Sequence, residues 1–226
     1  LIFQEEGMSD AVSGLLVAAV TAAAVAGIFL WMARAKRRKI EALRALCAQR
    51  GWRYSHESGP LHHGHHIVGD GWTFEAVSRS SGRETAPGSF DWGHSSQWTV
   101  EGEDPGRSTF ILGSRMGGML DISKMPPALL SRFLGEEMAG FQVFSAGERL
   151  DSRFVLFAGE WPPAASLFSS WAEELLLGWP AALPLVVRSS PARLSLQVMN
   201  RRLEKPAEVA ALIELGESFS SPYQNT

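Results

Sequence analysis

The sequence predicts an α+β protein: an N-terminal apolar helix running into a juxtamembrane helix, then one antiparallel-sheet domain with about three helices. Three observations predict it. Residues 11–33, AVSGLLVAAVTAAAVAGIFLWMA, carry no charged side chain over 23 positions. From Gly51 onward, short β-patterned runs alternate with Gly- and Ser-rich connections. Proline-initiated segments of helical periodicity interrupt those runs in mixed order and with hairpin-length links, which argues α+β rather than regular βαβ alternation.

The apolar run is the strongest single feature. At ~1.5 Å of rise per residue it reaches ~34 Å as a helix, against a hydrocarbon core of ~30 Å. Its only polar side chains, Ser13 and Thr21, are hydroxyls that can bond back to the helix. A cleaved secretory signal would place basic residues before a shorter apolar core, whereas residues 1–10 hold Glu5, Glu6 and Asp10 and no Lys or Arg. A core helix of a soluble protein would show a polar face, and none is present. Residues 11–33 are therefore predicted to be a transmembrane helix. Residues 1–10 form a short tail in this reading, and 1–7, which precede the expected start at Met8, are set aside.

Orientation follows from Arg34, Lys36, Arg37, Arg38 and Lys39, directly after the span. Lys and Arg near a span mark its cytoplasmic side, so the C-terminal domain is predicted inside the cell membrane and the N-terminus outside. Trp31 falls at the same boundary, where an indole keeps its N–H among headgroups. These residues form the predicted membrane interface, with lipid as partner. Gly14, Ala18, Ala22 and Ala26 recur every four residues beside Ala19, Ala23 and Gly27. Small side chains at that spacing allow close helix approach in lipid. Self-association, or packing on another membrane protein, is the expectation there.

Residues 34–50 continue the helical pattern through Ile40, Leu43, Leu46 and Cys47 to the stop at Gly51. A helix from about 10 to 50 is ~60 Å long. Its last turns cover too few heptads for a coiled coil and are expected to dock on the chain's own domain. Cys47 is the single cysteine and cannot form an internal disulfide. It reads as a small apolar helix residue, with palmitoylation as the other reading.

Charge is divided unevenly. Residues 1–50 hold 7 basic and 4 acidic side chains; residues 51–226 hold 14 and 20, a net of −6. An acidic domain lacks the footprint of a nucleic-acid binder and is mildly repelled by anionic headgroups.

In the domain, residues 51–219, strands are predicted at 67–68, 72–78, 98–100 and 109–112, with a loop at 80–89. A helix is expected from Pro126 to about Ala139, then strands at 141–145 and 154–158 and a helix from about Pro163 to Leu177. Strands 183–188 and 193–199 should pair across a turn at 189–192, before a helix from Pro206 to about Phe219 and a loose tail, 220–226.

Several residues invite a functional reading. His62, His63, His65 and His66 in HHGHH, with His56 and His94 nearby in sequence, suggest zinc or another transition metal if Gly64 makes a turn that brings the pairs together. Core packing is the ordinary role for at least five of the tryptophans at 52, 72, 92, 98, 161, 171 and 179, with Trp92 and Trp98 as a candidate stacking platform. Asp91 with His94 and Glu101 with Asp104 are candidate polar pairs. No HExxH or GxxxxGK[ST] occurs, and Gly117–Gly118 lacks the rest of a nucleotide fingerprint. No cofactor is predicted beyond the metal alternative, and no motif argues for an enzyme.

RGWRY at 50–54 after a basic juxtamembrane helix, HHIVGDGWTFEAV at 65–77, FQVFS at 141–145, and LPLVVR at 183–188 followed by LSLQV at 194–198 together resemble an uncharacterised family of bacterial single-pass membrane proteins with a domain of unknown function. The resemblance implies the same topology and transfers no activity or site residue. The expectation is thus a membrane-anchored cytoplasmic interaction or scaffold domain, with a ligand- or metal-sensing domain using residues 62–66 as the alternative.

Overall fold

The computed structural model describes residues 6–59, 62–79, 93–104, 107–115, 140–159 and 168–220, with the side chains at 6–13, 62 and 79 outside that description. The chain divides into two compact units, Leu1–Arg44 and Ala45–Thr226.

Helix α1 runs over Glu6–Arg50. From Gly14 it contains a window of mean hydropathy 2.3, none of which is buried. Leu15, Phe29 and Trp31 are 73%, 67% and 72% exposed. The hydroxyl of Thr21 donates to the Val17 carbonyl at 2.8 Å, so the one described polar side chain in the run is satisfied by its own helix. The helix ends in a Schellman pattern: Trp52 N–H donates to Cys47 O at 2.8 Å and Gly51 N–H to Ala48 O at 3.4 Å, with Gly51 at φ 73°. Residues 45–50 belong to the second unit, in which Cys47 is buried.

The second unit is built on a nine-stranded, wholly antiparallel sheet in the order β1-β2-β3-β4-β9-β8-β5-β7-β6. Its strands are β1 Arg53–Ser58, β2 His62–Val68, β3 Thr73–Arg79, β4 His94–Glu101, β5 Phe110–Ser114, β6 Gln142–Phe144, β7 Phe154–Ala158, β8 Leu185–Ser190 and β9 Arg193–Met199. Helix α2 covers Ser170–Gly178 and α3 covers Pro206–Ser220. Side chains alternate between sheet faces. The register therefore aligns Ile67, Phe74, Trp98 and Leu196 across four neighbouring strands on one face, where all are buried. Helix α3 packs on β4 and β9 and buries Val209, Leu212, Ile213 and Leu215. On the opposite face Ile111, Val155, Phe157, Val186 and Met199 form a second apolar cluster, against which Phe141 packs.

Local chemistry explains the joints. The hydroxyl of Ser96 on β4 donates to Arg201 O at 3.1 Å and accepts from Leu203 N at 2.8 Å, which fixes the chain leaving β9. That departure begins at Asn200, in the left-handed region at φ 58°. Ser169 caps α2 by accepting from Ala172 N at 3.1 Å. The Arg153 guanidinium donates to the carbonyls of Leu177 and Trp179 at the other end of that helix.

Three sequence expectations change. β1 was not expected as a strand. β2 runs unbroken through Gly64, so the turn expected between the two histidine pairs is absent. The glycine serves close packing instead, since a Cβ there would lie 2.7 Å from the Ala76 carbonyl oxygen. The second helix starts at Ser170 rather than about Pro163, because Phe168 and Ser169 are non-helical and Ser169 is the cap. The helix expected at 126–139 and the loop at 80–89 lie outside the described residues.

Helix α3 approaches the sheet closely at Gly216, where an added Cβ would sit 2.3 Å from the Trp98 indole. Gly216→Ala is predicted to cost about 1–3 kcal/mol by overpacking, whereas Ala211→Ser on the exposed side of α3 should stay within ~0.5 kcal/mol. Urea unfolding of the two variants checks this.

Candidate functional site

The sheet sorts the histidines by strand alternation rather than by sequence proximity. His56 pairs directly with His65, and His63 pairs with Ser78, which pairs in turn with His94. His56, His63, His65 and His94 therefore share a face, while His66 lies on the other, 3.8 Å from Glu75. His56 and His65 stack at 5.0 Å. The Nδ1–H of His56 donates to the Gly64 carbonyl at 2.8 Å, and the Tyr54 hydroxyl lies 2.7 Å from Nδ1 of His65. His94 Nδ1 is hydrogen-bonded to the Ser78 hydroxyl at 2.7 Å.

Within the described residues no three His, Cys, Asp or Glu side chains converge to hold a metal ion. Alternation accounts for this, since it divides residues 63, 65 and 66 between two faces. His62 has no described side chain. His65 is 4% exposed. Burial lowers its pKa to about 4, helped by the nearby positive ends of His56 and Arg202 and opposed by Glu204.

Other sequence candidates also move. Trp98 is fully buried against Gly216, so it cannot serve as a stacking platform; Trp92 and Asp91 lie outside the described residues. Asp104 pairs with Arg107 at 3.6 Å, and Glu101 is exposed on β4. Of the five described domain tryptophans, 72, 98 and 179 are buried, 52 is half-buried and Trp171 is 55% exposed.

The two that remain accessible line one cleft of about 310 Å³ in the second unit, with Arg50, Glu214, Glu217 and Ser218. Trp52 comes from the joint between α1 and β1, Trp171 from the first turn of α2, and the carboxylates from the last turns of α3. The walls are braced: Trp72 meets Trp52 edge-on at 5.2 Å and donates its Nε1–H to Glu217 Oε1 at 3.1 Å. The Arg50 guanidinium lies 5.9 Å from the Trp52 ring centroid. Of the tryptophan pair expected from sequence, Trp98 is buried and Trp92 lies outside the described residues. The available signals were Trp52 beside Arg50 and the Glu-x-x-Glu spacing of 214 and 217, which are more than 160 residues apart in sequence.

No protein-family model matches the chain, and no characterised protein or solved structure gives a significant match.

The depressed His65 pKa sets a direction for pH dependence. The unfolded chain takes up this proton near pH 6.5 and the native chain only near 4. Between those values protonation favours the unfolded state, so stability is lost as pH falls through 6.5 toward 4, at up to ~1.4 kcal/mol per pH unit from this residue. Above pH 6.5 the residue adds no slope. Urea unfolding at pH 7, 5.5 and 4.5 should show a shallower pH dependence for His65→Gln than for the parent.

Proposed function

We propose that this protein is a membrane-anchored interaction or scaffold domain, held by α1 with its folded unit in the cytoplasm. One observation carries the reading. The apolar window of α1 has no part buried in the protein, and Leu15, Phe29 and Trp31 within the run stand exposed. A core helix would hide such a surface. Here the surface needs a non-aqueous solvent, which a bilayer supplies at the matching length. Arg34, Lys36, Arg37, Arg38 and Lys39 are all exposed on the next turns, and the positive-inside rule supports a cytoplasmic C-terminal unit.

An interaction role is supported by what the folded unit offers: a part-aromatic cleft lined by the joint between α1 and β1 and by helices α2 and α3. The small-residue stripe at Gly14, Ala18, Ala22 and Ala26 adds a packing face for a second helix, and an added Cβ at Gly14 would meet nothing within 4 Å.

The full chain is predicted to stay in the membrane pellet after alkaline carbonate extraction. The double variant Val20→Arg/Ala23→Arg should release it, because each arginine near the span centre costs about 2.5–3.5 kcal/mol. Buried Cys47 is a poor topology reporter, so orientation is read at Glu57→Cys, an exposed position on β1. That thiol should react with an impermeant maleimide only after cells are opened; labelling in intact cells would reverse the topology.

A further inference from the structure

We infer that the cleft lined by Trp52, Trp171, Glu214 and Glu217 is a receptor for a guanidinium group. This deepens the interaction reading of the folded unit and does not depend on the anchor.

Four observations converge. First, size: about 310 Å³ lies at the lower limit of ligand sites, room enough for one side chain. Second, charge: Glu214 and Glu217 sit three residues apart on α3, neighbours on one helix face, and outnumber the single Arg50 in the cleft. Anionic ligands are disfavoured, and a cation is favoured. Third, one of the carboxylates is positioned. Glu217 accepts from Trp72 through Oε1, which orients the group and leaves its second oxygen as an acceptor. Fourth, the walls are indoles, and Trp171 keeps 55% of its surface in water while Trp72, Trp98 and Trp179 are buried. An indole face attracts a cation, and a planar guanidinium stacks on it while its five N–H donors reach carboxylates; an ammonium group offers no flat face.

The chain already shows this chemistry internally. Arg50 holds its own guanidinium over Trp52, occupying one wall of the cleft with the group that the cleft is inferred to bind. An incoming guanidinium therefore competes with Arg50 for the Trp52 ring. Binding is an exchange, which predicts that removal of the resident cation strengthens it.

The group can come from an arginine residue of a protein partner or from a free arginine-like molecule. Calorimetric titration of the full chain in maltoside micelles separates these with two probes, a capped Gly-Gly-Arg-Gly-Gly peptide and argininamide. Tighter binding of the peptide assigns the group to a protein; binding of argininamide alone assigns it to a small molecule. In either case the citrulline and lysine counterparts should bind at least tenfold more weakly. Trp171→Ala and Glu214→Gln, both at exposed positions, should each weaken binding at least fivefold with unchanged unfolding midpoints, and Arg50→Gln should tighten it several-fold. Equal binding of citrulline, equal binding of lysine, weaker binding by Arg50→Gln, or no heat at millimolar probe would each overturn the inference. Micelles report on the cleft alone, whereas carbonate extraction reports on the anchor alone, so either reading can fail without the other.

Discussion

The contact between Gly216 and Trp98 is the constraint on which the folded unit depends. A side chain on α3 at that point would hold the helix off the sheet, and its absence lets the helix backbone rest on the indole. Trp98 in turn lies 6.3 Å from Trp72, and Trp72 meets Trp52 at 5.2 Å. Glu217, the residue after Gly216, thereby comes within reach of Trp72 Nε1. One close approach in the core thus sets the position of a carboxylate and an indole at the surface. The cleft is a consequence of core packing rather than of loop geometry, which is the usual way a site acquires rigid walls.

The polar end of the same sheet follows a different logic. Tyr54, His56, His65, Ser78 and His94 lie on the face that carries Ile67 and Phe74 further along the strands. The two hydroxyls and the three Nδ1 atoms are satisfied by one another and by the Gly64 carbonyl. A buried imidazole with a hydrogen-bonded Nδ1 costs little while neutral and much when charged. His65 makes this corner of the sheet acid-sensitive, and among the described residues no set of ligands converges there.

Much of the fold was legible, and what was missed has physical causes. The apolar run stands out because no charge interrupts it. Strands β7, β8 and β9 were legible because FVLFA, LPLVVR and LSLQV pair apolar runs with turn residues. β1, RYSHES, was missed because its core-facing positions are Tyr54, His56 and Ser58, so the period-two signal is polar on both faces. The glycine in HHGHH suggested a turn, since nothing in sequence shows that a carbonyl from β3 passes 2.7 Å from where its Cβ would be. The cleft was hidden because its parts come from residues 50–52, 171 and 214–218, and only the tertiary fold places them together.

α1 poses the remaining physical demand. Water cannot solvate its side chains cheaply, and in the bilayer interior every peptide group must be bonded within the helix. A spanning helix in lipid therefore exchanges backbone amides far more slowly than a surface-lying or extracted one. Hydrogen–deuterium exchange of the full chain in lipid nanodiscs tests this most directly. A membrane-spanning α1 is predicted to keep hours-long protection over residues 14–33, ending sharply at Arg34–Lys39; exchange across 14–33 within minutes, comparable to that of an exposed helix, would rule the span out.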